Sequence, residues 1–173
     1  IEVPDIKILI DGKLITYTDT PININGKNLL PLRELLVSLG VQNDDEHIKY
    51  NHEDKSVTIQ KDETIILLAV GDKTAYVNGK ATKLEVAPVF YVKNGEGKVY
   101  IPLAFVSNAL GKKVIWNDSS RSVLICDKDK YNNIRRILKK SEKASKGISK
   151  YKATINIDYT ISSGQVKVGS AGI

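Results

Sequence analysis

The sequence predicts an α+β protein: two repeated units of twisted antiparallel sheet, each packed on one helix, followed by a basic helix and a C-terminal β-hairpin. Three observations predict it. Residues 29–40, LLPLRELLVSLG, recur 71 positions later as residues 100–111, YIPLAFVSNALG. Asn-Gly and Asp-Gly dipeptides separate short alternating runs, the signature of tight hairpins. Charge is segregated: residues 1–127 carry 15 Lys/Arg against 17 Asp/Glu, whereas residues 128–173 carry 11 against 3.

Residues 6–16 read as two strands around Asp11-Gly12, matched 67 positions later by residues 74–82 around Asn78-Gly79. At the same offset Pro21 matches Pro88, each leading into a strand. The next hairpin turns at Asn25-Gly26 in the first unit and over the longer residues 93–98, KNGEGK, in the second, an insertion of four that moves the offset to 71. Pro31 and Pro102 then mark a switch from strand to helix, because proline holds its predecessor extended yet is tolerated at the first helical position. Leu32, Leu35, Leu36 and Leu39 form a one-sided apolar stripe ended by Gly40. The second stripe keeps Leu103, Val106 and Leu110 but carries Ser107, which predicts a shorter or less deeply packed helix.

After each helix a polar hairpin follows. Tyr50-Asn51 stands opposite Trp116-Asn117, and Ser56, Val57 and Ile59 opposite Ser122, Val123 and Ile125, all 66 apart. The five extra residues of the first unit lie in the loop 41–47, so both length changes are placed in loops, which tolerate them. Residues 64–70, TIILLAV, join the units and read as a central strand covered on both faces. The short connections favour antiparallel pairing throughout.

Residues 1–127 therefore form the duplicated body, 128–149 a basic helical linker and 150–173 the start of a second, truncated β-rich domain. In the linker Tyr131, Ile134, Leu138 and Ser141 share one face, with Ile137 and Ala144 beside it and lysines and arginines elsewhere. Residues 150–160 alternate apolar and polar, and Ser162-Ser163-Gly164 turns them into 165–168. The chain starts at Ile1 and has no methionine, which marks it as a piece of a longer product.

The repeated pattern resembles the copper amine oxidase N-terminal-like domain, the stalk domain of secreted and surface proteins of Gram-positive bacteria. The matching residues are Gly12, Lys13, Pro21, Pro31, Leu32, Gly40, Asn51, Val57 and Ile59 in the first unit. In the second they are Gly79, Lys80, Pro88, Pro102, Leu103, Gly111, Trp116, Asn117, Val123 and Ile125. The resemblance implies a sheet wrapped against a helix, placed outside the cytoplasm as a non-catalytic module. It does not imply amine oxidation: the oxidase's copper and tyrosine-derived cofactor belong to another domain and need an Asn-Tyr motif with three histidine ligands. This chain has no Asn-Tyr pair and two histidines. Residues 141–168 resemble, over a short stretch, the first helix and strands of a lipoprotein-like curved sheet found after such stalks.

Other chemistries are weakly represented. The longest apolar run is too short to span a bilayer. One cysteine, Cys126, excludes an internal disulfide and reads as a small buried hydrophobe. Phosphate-loop, nucleophile-elbow and zinc-protease motifs are missing, and no nucleic-acid fold accompanies the basic tail. Asp44, Asp45, Glu46, His47, His52, Glu53 and Asp54 have metal-ligand residue types, but the second unit has no histidine there, and a solvated loop and hairpin tip explain them. No catalytic, cofactor or metal residues are assigned. Two candidate contact sets remain. Arg135, Arg136, Lys139, Lys140 and Lys143 suit an anionic wall polymer. Tyr50 and Trp116 suit a glycan, against a plainer role as core aromatics.

Overall fold

The computed structural model of the chain describes residues 1–145, with side chains to residue 140. The chain divides after Lys128 into two units. The first unit begins with the hairpins β1 (Lys7–Ile10)/β2 (Lys13–Ile15) and β3 (Ile22–Ile24)/β4 (Lys27–Pro31), followed by α1 (Leu32–Ser38). A meander of β5 (Ile48–Asn51), β6 (Ser56–Lys61), β7 (Thr64–Ala69), β8 (Thr74–Val77) and β9 (Lys80–Lys83) comes next. It is followed by the hairpin β10 (Val89–Lys93)/β11 (Glu96–Pro102), α2 (Leu103–Ala109) and the hairpin β12 (Lys112–Asn117)/β13 (Ser122–Asp127). The mixed α+β class is as the sequence predicts.

Turn chemistry sets the hairpins. Asp11-Gly12, Asn25-Gly26, Asn78-Gly79 and Asn94-Gly95 each place two successive residues at positive φ, the geometry whose twist matches the strands it joins. The insertion at 93–98, expected as loop, is instead largely strand. The β10/β11 turn is the two residues Asn94-Gly95, and the four extra residues add two cross-strand pairs, from Val92↔Gly97 to Lys93↔Glu96. An even addition per strand keeps every side chain on its original face, so a hairpin can lengthen without disturbing the core.

The sheets interleave the two halves of the sequence instead of keeping one sheet per half. The strand orders are β12-β13-β1-β2, β10-β11-β4-β3 and β5-β6-β7-β8-β9. At the centre of the second sheet Leu30 opposes Ile101, flanked by Pro31↔Tyr100 and Leu29↔Pro102. The register is symmetric about that central pair: exchanging each residue with its counterpart 71 positions away turns Pro31↔Tyr100 into Pro102↔Leu29. One pairing departs from the antiparallel expectation: β1 runs parallel to β13, Lys7↔Ser122 through Ile10↔Ile125. The reason lies in the connection. Between β6 and β8 the strand β7 intervenes and pairs antiparallel with both. After β13 the chain enters a helix, so β1 meets β13 directly.

Pro31 and Pro102 lie at the N-caps, with ψ of 130° and 112°, and not at the first helical position. They are the last residues of paired strands, where a missing amide hydrogen is least costly. Gly40 and Gly111 take positive φ directly after the helices, as expected. α1 buries Leu32, Leu35 and Leu36. α2 has the same seven-residue length and buries Ser107 completely beside Leu103 and Val106, which corrects the expectation of a shorter, shallower helix.

One continuous core runs from Ile8 to Ile125 and includes Leu30, Leu36, Ile59, Ile66, Ile101 and Val106. A smaller cluster joins Ile22, Leu29, Val86 and Tyr100. Two sequence expectations about burial change. β7 is central in its sheet but covered on one face: Ile66 and Leu68 are buried, whereas Ile65 and Leu67 are exposed. Val123 and Ile125 point into the core from β13, so the strand's alternation leaves Cys126 half-buried on the other face.

The second unit contributes α3 (Lys128–Ser145) to the described residues. The hairpin and second domain expected at 150–173 lie outside them.

Candidate functional site

On α3, residues 131–140 separate two chemistries around the helix. Arg135, Arg136, Lys139 and Lys140 line a shallow groove with Asn132. Their spacing by three, four and five residues gathers them on one side. Arg135 also lies over the Tyr131 ring at 5.8 Å. Ile134, Ile137 and Leu138 are exposed on the other side. The structure thus assembles four of the five cations marked by the sequence, while the side chain of Lys143 lies outside the described set.

Tyr50 and Trp116 are not brought together. Tyr50, on β5, is half-buried and packs against the core with its ring edge-on to His52, 4.8 Å between centroids. Trp116, on β12, is 46% exposed, which corrects the view of it as a core aromatic. Its indole Nε1 donates to the Asp118 carboxylate, a bond within the turn that fixes the ring at the surface.

Each aromatic lines its own groove. The first, about 770 Å3, lies between Tyr50, the start of α1 and the β10/β11 hairpin, with Lys55 at its margin. The second, about 440 Å3, lies between Trp116, the start of α2 and the β3/β4 hairpin, with Lys83, Glu85 and Asn108 in its lining. The sequence reading missed Phe90 and Gly97 in the first groove. The available signal was the alternation of Phe90 and Val92 on one face of a strand otherwise facing solvent, opposite a glycine inside β11.

The acidic cluster is engaged in turns. Asp44 Oδ1 accepts from the backbone N–H groups of Glu46 and His47 and lies 2.7 Å from His47 Nδ1. That hydrogen bond with the His47 ring holds the Asp44 carboxyl below its ordinary range. Asp45 pairs with Arg33, and Asp54 accepts from the Ser56 N–H. Among the described residues no group of three or more His, Cys, Asp and Glu side chains converges as a metal site. Burial, then the neighbouring Asp11, pushes the Cys126 thiol up, which disfavours the nucleophilic thiolate.

The remaining polar contacts tie hairpins to the body. Lys98 donates to Asp19 at 2.5 Å, and the bond lowers the Asp19 carboxyl and raises the Lys98 ammonium. Lys93 pairs with Glu2 at 2.8 Å, and Tyr91 donates its hydroxyl to the same carboxylate. Tyr100 donates to the Thr20 carbonyl, and burial pushes its phenol up to about 12.

Fold and site together define a β-rich module with three interleaved sheets, surface grooves and a cationic helix. The copper amine oxidase N-terminal domain family matches the chain twice, over residues 9–125 and 91–168, and the chain belongs to that family. The matched domain is an accessory N-terminal one and not a catalytic one. A search of curated proteins found no match. Among the described residues no helix is long and apolar enough to cross a membrane.

Proposed function

We propose that the chain is a non-catalytic extracytoplasmic module that spaces or displays an adjoining domain at the bacterial cell surface, and that α3 contacts anionic wall polymer. On this reading residues 1–127 are two copies of one unit, and their interleaved sheets make a stiff spacer. The observation that carries the polymer contact is the clustering of Arg135, Arg136, Lys139 and Lys140 on one side of α3, in a chain whose residues 1–127 carry charges that nearly cancel. A compact cationic row meets a polyanion through many weak, exchangeable ion pairs, so the contact is steeply sensitive to salt.

Co-sedimentation of the full chain with purified Gram-positive cell wall tests this. Binding at low salt that falls at least tenfold at high salt is expected. The variant Arg135→Gln, Arg136→Gln, Lys139→Gln, Lys140→Gln should remain in the supernatant at both. Full binding by that variant would move the contact away from α3, and absence of binding by the native chain would leave the polymer contact without support.

A further inference from the structure

The two grooves are counterparts. Pro31 and Leu32 at the start of α1 correspond to Pro102 and Leu103 at the start of α2, and all four line a groove. Tyr50 corresponds to Trp116. Gly97 and Lys98, contributed to the first groove by β11, correspond to Gly26 and Lys27, contributed to the second by the β3/β4 hairpin. Each groove therefore takes its helix and one aromatic from one half of the chain and its hairpin from the other. This crossing follows from the central β4/β11 pairing, which lays each hairpin beside the opposite helix.

Both grooves present an aromatic ring that is exposed yet held. Phe90 is 53% exposed, and its ring lies directly over Gly97; a Cβ at that glycine would overlap the ring carbons Cε1 and Cζ. Gly97 is thus needed as space for the ring and not for its own backbone angles. Trp116 is fixed at the surface by Asp118. An immobilised, half-exposed ring offers a flat apolar face to the C–H groups of a sugar without a large ordering cost on binding. Around each ring stands an ion pair able to exchange hydrogen bonds with hydroxyls, Lys98–Asp19 in the first groove's vicinity and Lys27–Glu85 in the second's. Each groove also has one lysine without an ion pair among the described residues, Lys55 in the first and Lys83 in the second. Among the side chains that line each groove, Arg33, Lys55 and Lys98 stand against Glu34 in the first and Lys27 and Lys83 against Glu85 in the second, so cations outnumber carboxylates in both.

We propose that the two grooves are a matched pair of binding sites for an acidic polysaccharide, with sugar rings stacked on Phe90 in one and Trp116 in the other and carboxylates drawn to Lys55 and Lys83. The proposal concerns the body of the module and stands apart from the α3 contact.

The test is calorimetric titration with a galacturonate hexamer at physiological salt. It uses the full chain carrying the four α3 glutamine substitutions, which remove the cationic cluster lining the α3 groove. Two hexamers bound per chain are expected. Phe90→Ala and Trp116→Ala should each leave one, and the double variant none, with unchanged circular dichroism because both rings are half-exposed. Lys55→Gln and Lys83→Gln should each weaken their own site about fivefold, as loss of one partly exposed charge contact does. Neutral chitohexaose should bind at least tenfold more weakly than the galacturonate hexamer. A parent that binds one hexamer or none overturns the pair. So does retention of two sites in either alanine variant, or chitohexaose binding as tightly as the acidic hexamer.

Discussion

Ser107 is the residue whose chemistry fits its place least. It occupies the position of Leu36 in the repeated pattern, is fully buried, and its hydroxyl has no hydrogen-bond partner among the described residues. A buried, unpaired hydroxyl costs on the order of 1–3 kcal/mol, and alanine is the better helix former. Ser107→Ala should therefore stabilise the protein by about 1 kcal/mol, seen as a higher urea midpoint with an unchanged slope. A loss of stability would mean that the hydroxyl has a partner, such as a buried water, which the side chains around it do not provide. The sequence made this serine visible as an interruption of a leucine stripe. It did not show that the stripe would stay buried, because depth depends on β4, more than seventy residues earlier in the chain, closing over α2 together with its neighbours β11 and β12.

At the scale of elements, the hairpins were the most legible part, since Asx-Gly turns need only local chemistry: those read at Asp11-Gly12, Asn25-Gly26 and Asn78-Gly79 form there, and the one read as a longer loop over 93–98 tightens to Asn94-Gly95. Partner choice between elements was not local. Nothing in residues 7–10 announces a parallel neighbour more than a hundred positions away; β1 finds β13 because the strand that would separate them is absent from the second half. The β10/β11 hairpin shows how such long-range docking depends on charge. Its attachments run through Tyr100 to the Thr20 carbonyl, Lys98 to Asp19, and Lys93 with Tyr91 to Glu2. Tyr100 has its phenol raised by burial from 10.0 to about 12. The group is neutral when protonated, so its contribution is complete below pH 10 and is lost as pH rises from 10 toward 12. Lys98, raised by its bond to Asp19, loses its contribution in the same direction, above 10.5. The urea midpoint should thus fall between pH 10 and 12, and Tyr100→Phe should show a shallower fall. An equal fall in native and variant would place the alkaline sensitivity elsewhere.

For the whole molecule, the decisive question is whether the halves are lobes or one body. The sequence showed the offsets and the conserved spacing of strands and helices, but both arrangements satisfy those equally. The same limit hid the grooves: Tyr50 and Trp116 were visible as counterparts, whereas the opposite-half hairpins that complete their walls were not. In the structure Leu36 and Ile101, from different halves, are both fully buried in one cluster. Truncating either to alanine removes a large side chain from a close-packed interior, at a cost of about 3 kcal/mol. If the core is continuous, each truncation weakens the entire body, because interleaved sheets leave neither half able to keep its strands paired alone. Trp116 supplies the readout, as the chain's one tryptophan and a residue of the second half. Leu36→Ala, on α1 of the first half, should lower the midpoint of the Trp116 fluorescence transition by as much as it lowers the far-ultraviolet circular dichroism transition, and Ile101→Ala should do the same. Two separable transitions, with Trp116 indifferent to Leu36→Ala, would mean that the interleaved sheets are not one cooperative body.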